Sequence, residues 1–115
     1  MKLVIAVIQP TKLNAVQQAL ESIGVASMTV CDAMGYARQR GQKEIYRGHE
    51  YKTNLLRKVA LEIAVKEENL ERVIECLEDV ARSSTEGSIG DGKVFVLPME
   101  EAVQINDNLR GSGAL

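Results

Sequence analysis

The sequence predicts an α+β fold in which a four-stranded antiparallel sheet carries two helices on one face, and three observations lead to it. The apolar pattern switches period along the chain in the order strand, helix, strand, strand, helix, strand. Glycine or proline punctuates the joints. One long basic stretch without a buried stripe separates the second strand from the third. With 115 residues, 45% of them hydrophobic, the chain holds material for one core, so residues 1–115 read as a single domain.

The run LVIAVI (Leu3 to Ile8) followed by Pro10 reads as a buried central strand, stopped by a residue that cannot donate to a ladder. Thr11 is placed to cap a helix. Leu13, Val16, Leu20 and Ile23 recur at helical spacing with Asn14, Gln17, Gln18 and Glu21 between them, and Gly24 stands where a left-handed C-terminal cap belongs. Ala26 to Met34 reads as the second strand, and Val59, Leu61, Ile63 and Val65, alternating with Ala60, Glu62 and Ala64, as the third. Glu67 and Glu68 favour a helix start. Leu70, Val73, Ile74, Leu77 and Val80 then form an apolar stripe, with Glu68/Arg72 and Glu78/Arg82 spaced to pair one turn apart. The Gly-rich EGSIGDGK leads into a last strand, VFVL, ended by Pro98. This order is the split βαβ arrangement of the ferredoxin-like fold, βαββαβ. Because LVIAVI is aliphatic at consecutive positions, both faces of that strand should be buried, and a homo-oligomer is the economical cover for the face the helices leave open.

Charge and composition narrow the function classes. Between Tyr36 and Lys58, seven basic residues (Arg38, Arg40, Lys43, Arg47, Lys52, Arg57, Lys58) face two acids (Glu44, Glu50), a net +5 in a chain whose total is −2. A charged loop this long is a binding arm or a segment that orders on contact with a ligand. Tyr36, Tyr46 and Tyr51 are interleaved with the basic residues, yet nucleic acid is not the expected partner: from Glu67 onward the chain carries eleven acids and four bases. No apolar run approaches the ~20 residues of a membrane span, and Met1 leads straight into a strand pattern, so the expected location is cytoplasmic. Cys31 and Cys76 lack metal or redox spacing and read as small buried hydrophobes. His49, the only histidine, reads as a solvated loop residue, and with no nucleophile, base and orienting group in view the chain does not read as an enzyme.

Two glycine-bearing turns could hold an anion. In GSIGDGK (Gly87 to Lys93), three glycines and a lysine lie at the mouth of a strand, where backbone N–H groups can cradle a phosphate. A strand follows them, not the helix of a P-loop, and on this stretch alone a tight turn needing positive φ is the stronger reading. GYARQRG (Gly35 to Gly41) sets Arg38 and Arg40 beside Gln39, which suits an anion or a plain solvated loop.

Three longer motifs carry a resemblance. IQPTKL is similar to IKPFKL, GYARQRGQKEIYRGHEY to GFGRQKGHTELYRGAEY, and IGDGKVFV to IGDGKIFV, the motifs of the nitrogen regulatory P-II signal proteins, which the chain resembles along nearly its whole length. The resemblance implies a ferredoxin-like homotrimer with nucleotide sites in the clefts between subunits. It also implies a T-loop at about 36–58 between strands 2 and 3, a Gly-rich B-loop at about 83–93 and a C-terminal segment at about 98–115. Function would be non-enzymatic: ATP or ADP, with Mg2+ and 2-oxoglutarate as further effectors, would set the T-loop for docking on a membrane transporter, an enzyme or a regulator. The protein would be cytoplasmic and recruited to its transporter. Residue by residue, Gly35, Ala37, Arg38 and Gln39 would form the T-loop base, with Gln39 helping to hold Mg2+ and 2-oxoglutarate, and Lys58 would meet a 2-oxoglutarate carboxylate. Thr29, Glu62 and Ala64 would receive adenine and ribose, Gly87, Gly90, Asp91, Gly92 and Lys93 would wrap the phosphates, and Tyr51 would be the modified tyrosine.

The departures are as specific. Where the family supplies phosphate-binding arginines from its C-terminal segment, this chain has Glu101, Gln104 and Asn106. Glu86 and Ser88 stand where TGK has a hydroxyl and a lysine, and Ala37 replaces a glycine. Losing charge-assisted contacts at ~1.5–3 kcal/mol each weakens ATP binding. A divergent paralogue with lost or altered nucleotide binding, serving as an adaptor or a metal-transport-linked regulator, is therefore the alternative.

Overall fold

The apolar run at the N-terminus forms β1 (Lys2–Ile8), and its composition suits it to the middle of a sheet. Val4, Ala6 and Ile8 are buried on one face, while Leu3, Ile5 and Val7 are half-buried on the other. In this computed structural model, which describes residues 1–36 and 55–115, β1 pairs antiparallel with strands on both sides. The elements are β1, α1 (Leu13–Ser22), β2 (Thr29–Tyr36), β3 (Leu55–Val65), α2 (Leu70–Ala81) and β4 (Gly92–Pro98), and the sheet order is β2-β3-β1-β4. That is the ferredoxin-like arrangement the period switching predicts.

Both helices lie on the face carrying Val4, Ala6, Ile8, Val59, Leu61, Ile63 and Val65. Val16 and Leu20 of α1 and Val73, Leu77 and Ala81 of α2 complete a dry core. Each large aliphatic side chain buried there contributes about 1.5–3 kcal/mol. Gly24 ends α1 as expected: at φ 98° it donates to the Glu21 carbonyl at 3.1 Å, and Val25 donates to Leu20 at 3.0 Å, the paired bonds of a Schellman cap.

Several local expectations are corrected. Thr11 is not a helix cap. Pro10, with its φ already fixed, opens a 3-10 turn over Pro10–Lys12, so α1 starts later with no side-chain cap. Glu67 and Glu68 likewise sit in a 3-10 turn (Glu67–Asn69) ahead of α2. The second strand runs Thr29–Tyr36 instead of Ala26 to Met34, because its ladder begins where Thr29 meets Glu62. The third begins four residues early, at Leu55, because cross-strand pairing holds basic and exposed residues extended without a buried alternation. The Glu68/Arg72 and Glu78/Arg82 ion pairs do not form; Arg72 donates instead to the Ile23 carbonyl at 3.0 Å, tying α2 to the end of α1. Cys76 is half-buried, and burial, then the neighbouring Asp79 charge, raises its thiol pKa, which suits a small hydrophobe. Cys31 is exposed, because register puts it opposite Ala60 on the helix-free face.

That face is mostly apolar, although Glu62 stands opposite Ile5 and Lys93 opposite Val7 on it. Leu3, Ile5 and Val7 lie among Ala60, Ala64, Phe95 and Leu97, with Phe95 50% and Leu97 40% exposed. At one end, β1 stops at Ile8 opposite Val59, while β2 and β3 continue as a two-stranded ribbon through Ala33–Tyr36 and Leu55–Lys58. This ribbon is the stem of the basic loop. Its side chains Met34, Leu55 and Leu56 are exposed.

Leu61, fully buried at the centre of β3, gives a stability test. Leu61→Ala should cost about 2–5 kcal/mol in denaturant unfolding, whereas Thr11→Ala, which removes no cap bond, should stay within about 0.5 kcal/mol.

Candidate functional site

The Gly-rich turn and the loop stem meet at one end of β1, because Ile8 pairs with Gly92 on one side and Val59 on the other. Gly92 is demanded twice over: its φ is 128°, and a Cβ there would lie 2.0 Å from the Val7 carbonyl oxygen. The turn before it is organised by Asp91. One carboxylate oxygen accepts from the Ser88 amide at 2.8 Å, the Ser83 amide at 3.0 Å and the Ser83 hydroxyl at 3.3 Å, and the other accepts from Gln9 Nε2 at 3.1 Å. The Ser83 amide is the main reason the Asp91 carboxyl lies below its ordinary value; the Ser88 amide, the Ser83 hydroxyl and the Lys12 charge add to it against the opposing effect of desolvation.

Lys58 joins the stem to this turn. Its Nζ donates to the Gly90 carbonyl at 2.6 Å, and Gln9 Nε2 reaches the same oxygen at 3.4 Å. Gly35 makes room for the lysine: a Cβ at that position would lie 3.0 Å from Lys58 Cγ. The amides of Ile89 and Gly90 have no hydrogen-bond partner among the described residues, so the turn presents backbone donors beside the Lys58 and Lys93 ammonium groups. Such a set suits a phosphate or carboxylate oxygen.

The candidate residues thus fall into two groups. Gly35, Lys58, Gly87, Gly90, Asp91, Gly92 and Lys93 gather at the stem and turn. Thr29, Glu62 and Ala64 lie on the apolar open face, Thr29 directly opposite Glu62 and Ala64 opposite Leu3. At the strand rise, Glu62 lies about 10 Å and Ala64 about 17 Å along β3 from Val59 beside the turn. Ala37, Arg38, Gln39 and Tyr51 lie outside the described residues, as does His49. Gln9, Ser83 and Ser88 were missed by sequence reasoning, since their contacts depend on Asp91 being the acceptor at the centre of the turn. Only Gln9 carried a signal, being the one position where IQPTKL departs from a lysine in IKPFKL.

Beyond β4 the chain forms a small hairpin. Val103 bridges Arg110, Gln104 donates to the Leu109 carbonyl at 2.8 Å, Gly111 donates to Ala102 at 2.9 Å, and Asn108 turns through φ 62°. Its one base, Arg110, lies 3.5 Å from Glu101. This hairpin leaves the sheet at the end opposite the Gly-rich turn, since Pro98 pairs with Lys2 and Gly92 with Ile8. Ile105 at its edge is 94% exposed. Among the described residues no group of three His, Cys, Asp or Glu is arranged to hold a metal ion. The donor set fits an anion, with Lys12 and Arg82 also near the turn and Glu86 an added negative charge beside it.

Comparison with known proteins covers the whole of this architecture. The family model described as nitrogen regulatory protein P-II matches residues 1–108. Nitrogen regulatory protein GlnK1 of Methanosarcina mazei is 46% identical over 115 residues, all of this chain and 97% of that protein. Nitrogen regulatory protein P-II of Azospirillum brasilense is 42% identical and nitrogen regulatory protein GlnK of Escherichia coli K12 is 40% identical, each over the full length of both chains.

Two outcomes check the turn. Gly92→Ala should lower the melting temperature sharply, since neither the positive φ nor the Val7 carbonyl accommodates a Cβ. Asp91 has a depressed folded pKa, so its stabilisation is fully present above the ordinary value of 3.8 and is lost as pH falls through the lower folded value. The melting temperature of the parent should therefore exceed that of Asp91→Asn at pH 6, and the gap should narrow on acidification below 3.8.

Proposed function

Because the chain belongs to the nitrogen regulatory protein P-II family and is a signal-transduction protein, not an enzyme, we propose that it reads an adenine nucleotide, with 2-oxoglutarate as co-effector, and relays the reading through its loop. The loop at about 36–58 is the docking arm, and the partner is a membrane transporter, an enzyme or a regulator. The observation that carries this reading is the 2.6 Å hydrogen bond from Lys58 Nζ to the Gly90 carbonyl. It ties the stem of the arm to the turn that offers donors to an anion, so a ligand competing for either group also acts on the stem.

The nucleotide site is completed between copies of the chain, in a homotrimer whose subunits cover one another's open faces. The exposed Phe95 and Leu97 on that face support the assembly. So does the separation of the turn from Thr29, Glu62 and Ala64, which leaves one chain with two half-sites. The base of the arm, Ala37, Arg38 and Gln39, completes the effector site, with Gln39 the residue for Mg2+ and Tyr51 the candidate for modification. The protein works in the cytoplasm and goes to the membrane with its target; no described helix is long and apolar enough to cross a membrane. One observation favours a second reading: Arg110 is paired with Glu101. A paralogue with altered nucleotide binding, serving as an adaptor or a regulator linked to metal transport, is compatible with that pair.

Isothermal titration with ATP, ADP and 2-oxoglutarate plus Mg2+ separates the two. Heat with a nucleotide supports the effector reading, and none at high micromolar concentration sinks it. Lys58→Ala should abolish any 2-oxoglutarate response and leave nucleotide affinity within about threefold. Deleting Arg40 to Asn54 should abolish partner binding while the melting temperature changes by only a few degrees, since all the core side chains given above lie outside that stretch.

A further inference from the structure

We infer that Gln9 is a positioning residue: it clamps the Gly-rich turn to the end of β1 and thereby sets the stem of the arm before any ligand is present. Its Nε2 carries two hydrogens, and two acceptors of the turn lie within reach, Asp91 Oδ1 at 3.1 Å and the Gly90 carbonyl at 3.4 Å. Both contacts are partly buried. Their direction is preset by the backbone, because Pro10 confines the residue before it to the extended region, where Gln9 lies at φ −71° and ψ 139°. Asp91 carries the clamp onward. Its other carboxylate oxygen accepts from the Ser83 and Ser88 amides, so one side chain joins the end of β1, the segment after α2 and the turn. Lys12 also acts on Asp91 through its charge, whereas Gln9 supplies the directed bond.

The stem depends on what the clamp holds. Because β1 stops at Ile8, residues 33–36 and 55–58 form a ribbon of two strands with no third strand beside them. Such a ribbon is marginal in water by itself. Lys58 Nζ ties it to the Gly90 carbonyl at 2.6 Å, and that carbonyl is the one Gln9 also reaches. A turn held by Gln9 keeps its carbonyl on the lysine, and a turn released from Gln9 loosens the ribbon. The clamp works in the ligand-free chain, independently of the effector reading above. A hydrogen bond to an ionised acceptor such as Asp91 changes a local opening equilibrium by roughly tenfold or more.

Amide hydrogen exchange of the full-length, ligand-free protein tests this, read separately at the turn (83–92), the stem (33–36 and 55–58) and the core strands (4–7 and 61–63). Gln9→Met keeps the side-chain length and removes the donor, Gln9→Glu sets a carboxylate against Asp91, and Gln9→Lys restores a donor. In Gln9→Met, exchange should be about tenfold faster at turn and stem alike, with the core unchanged. Gln9→Glu should exceed that effect, and Gln9→Lys should stay within about threefold of the parent. Exchange in Gln9→Met equal to the parent overturns the clamp, since the side chain would only fill space. Faster exchange at the turn alone overturns the link to the stem, and faster exchange in the core as well reduces Gln9 to a general contribution to stability. A double variant adds an independent check. With Lys58→Met already in place the tie is cut, so adding Gln9→Met should change stem exchange by less than about twofold, and additive effects contradict a path through Gly90.

Discussion

The double pairing of β1 is the constraint on which the rest of the structure depends. A strand aliphatic at every position from Leu3 to Ile8 is stable only with partners on both edges and cover on both faces. Its two edges take β3 and β4, and its last residue, Ile8, therefore stands between Val59 and Gly92. The loop stem leaves from the first of these and the Gly-rich turn arrives at the second. A contact such as Lys58 to Gly90 is thus a consequence of sheet register, not of any local signal in either segment.

The same strand leaves one face of the sheet without cover. Its core face is sealed by α1 and α2, but no helix remains for Leu3, Ile5 and Val7 or for Phe95 and Leu97 beside them. The residues that resemblance assigns to adenine and ribose lie on that uncovered face, away from the turn that resemblance assigns to the phosphates. Under the function proposed above, covering the face and completing the ligand site would be the same event. On that proposal oligomerisation and effector binding would share one surface and stabilise each other through mass action.

Much of this was legible in the sequence, and the parts that were not share a physical cause. Period switching gave the element order, and Gly24 and Gly92 stand where backbone conformation requires them. Thr11 looks like a cap in sequence but lies inside a turn, because Pro10 starts the chain turning one residue sooner. The stem residues Leu55 to Lys58 looked like loop because their strand is held by cross-strand pairing, which leaves no trace in hydrophobic alternation. Gln9 and Asp91 meet across 82 positions, and no window of local sequence encodes that hydrogen bond. Cys31 is exposed where its strand pattern suggests burial, because a sequence shows that a strand is apolar without showing which face the helices choose.

The central claim is that stem and turn form one effector-responsive unit that closes only between copies of the chain. Native mass spectrometry of the gently purified protein tests it most directly, because subunit count and retained ligand are read from the same ion. The account predicts a trimer that carries a small anionic ligand and loses it when the subunits are driven apart. A monomer that holds the ligand as firmly as the assembly would contradict it.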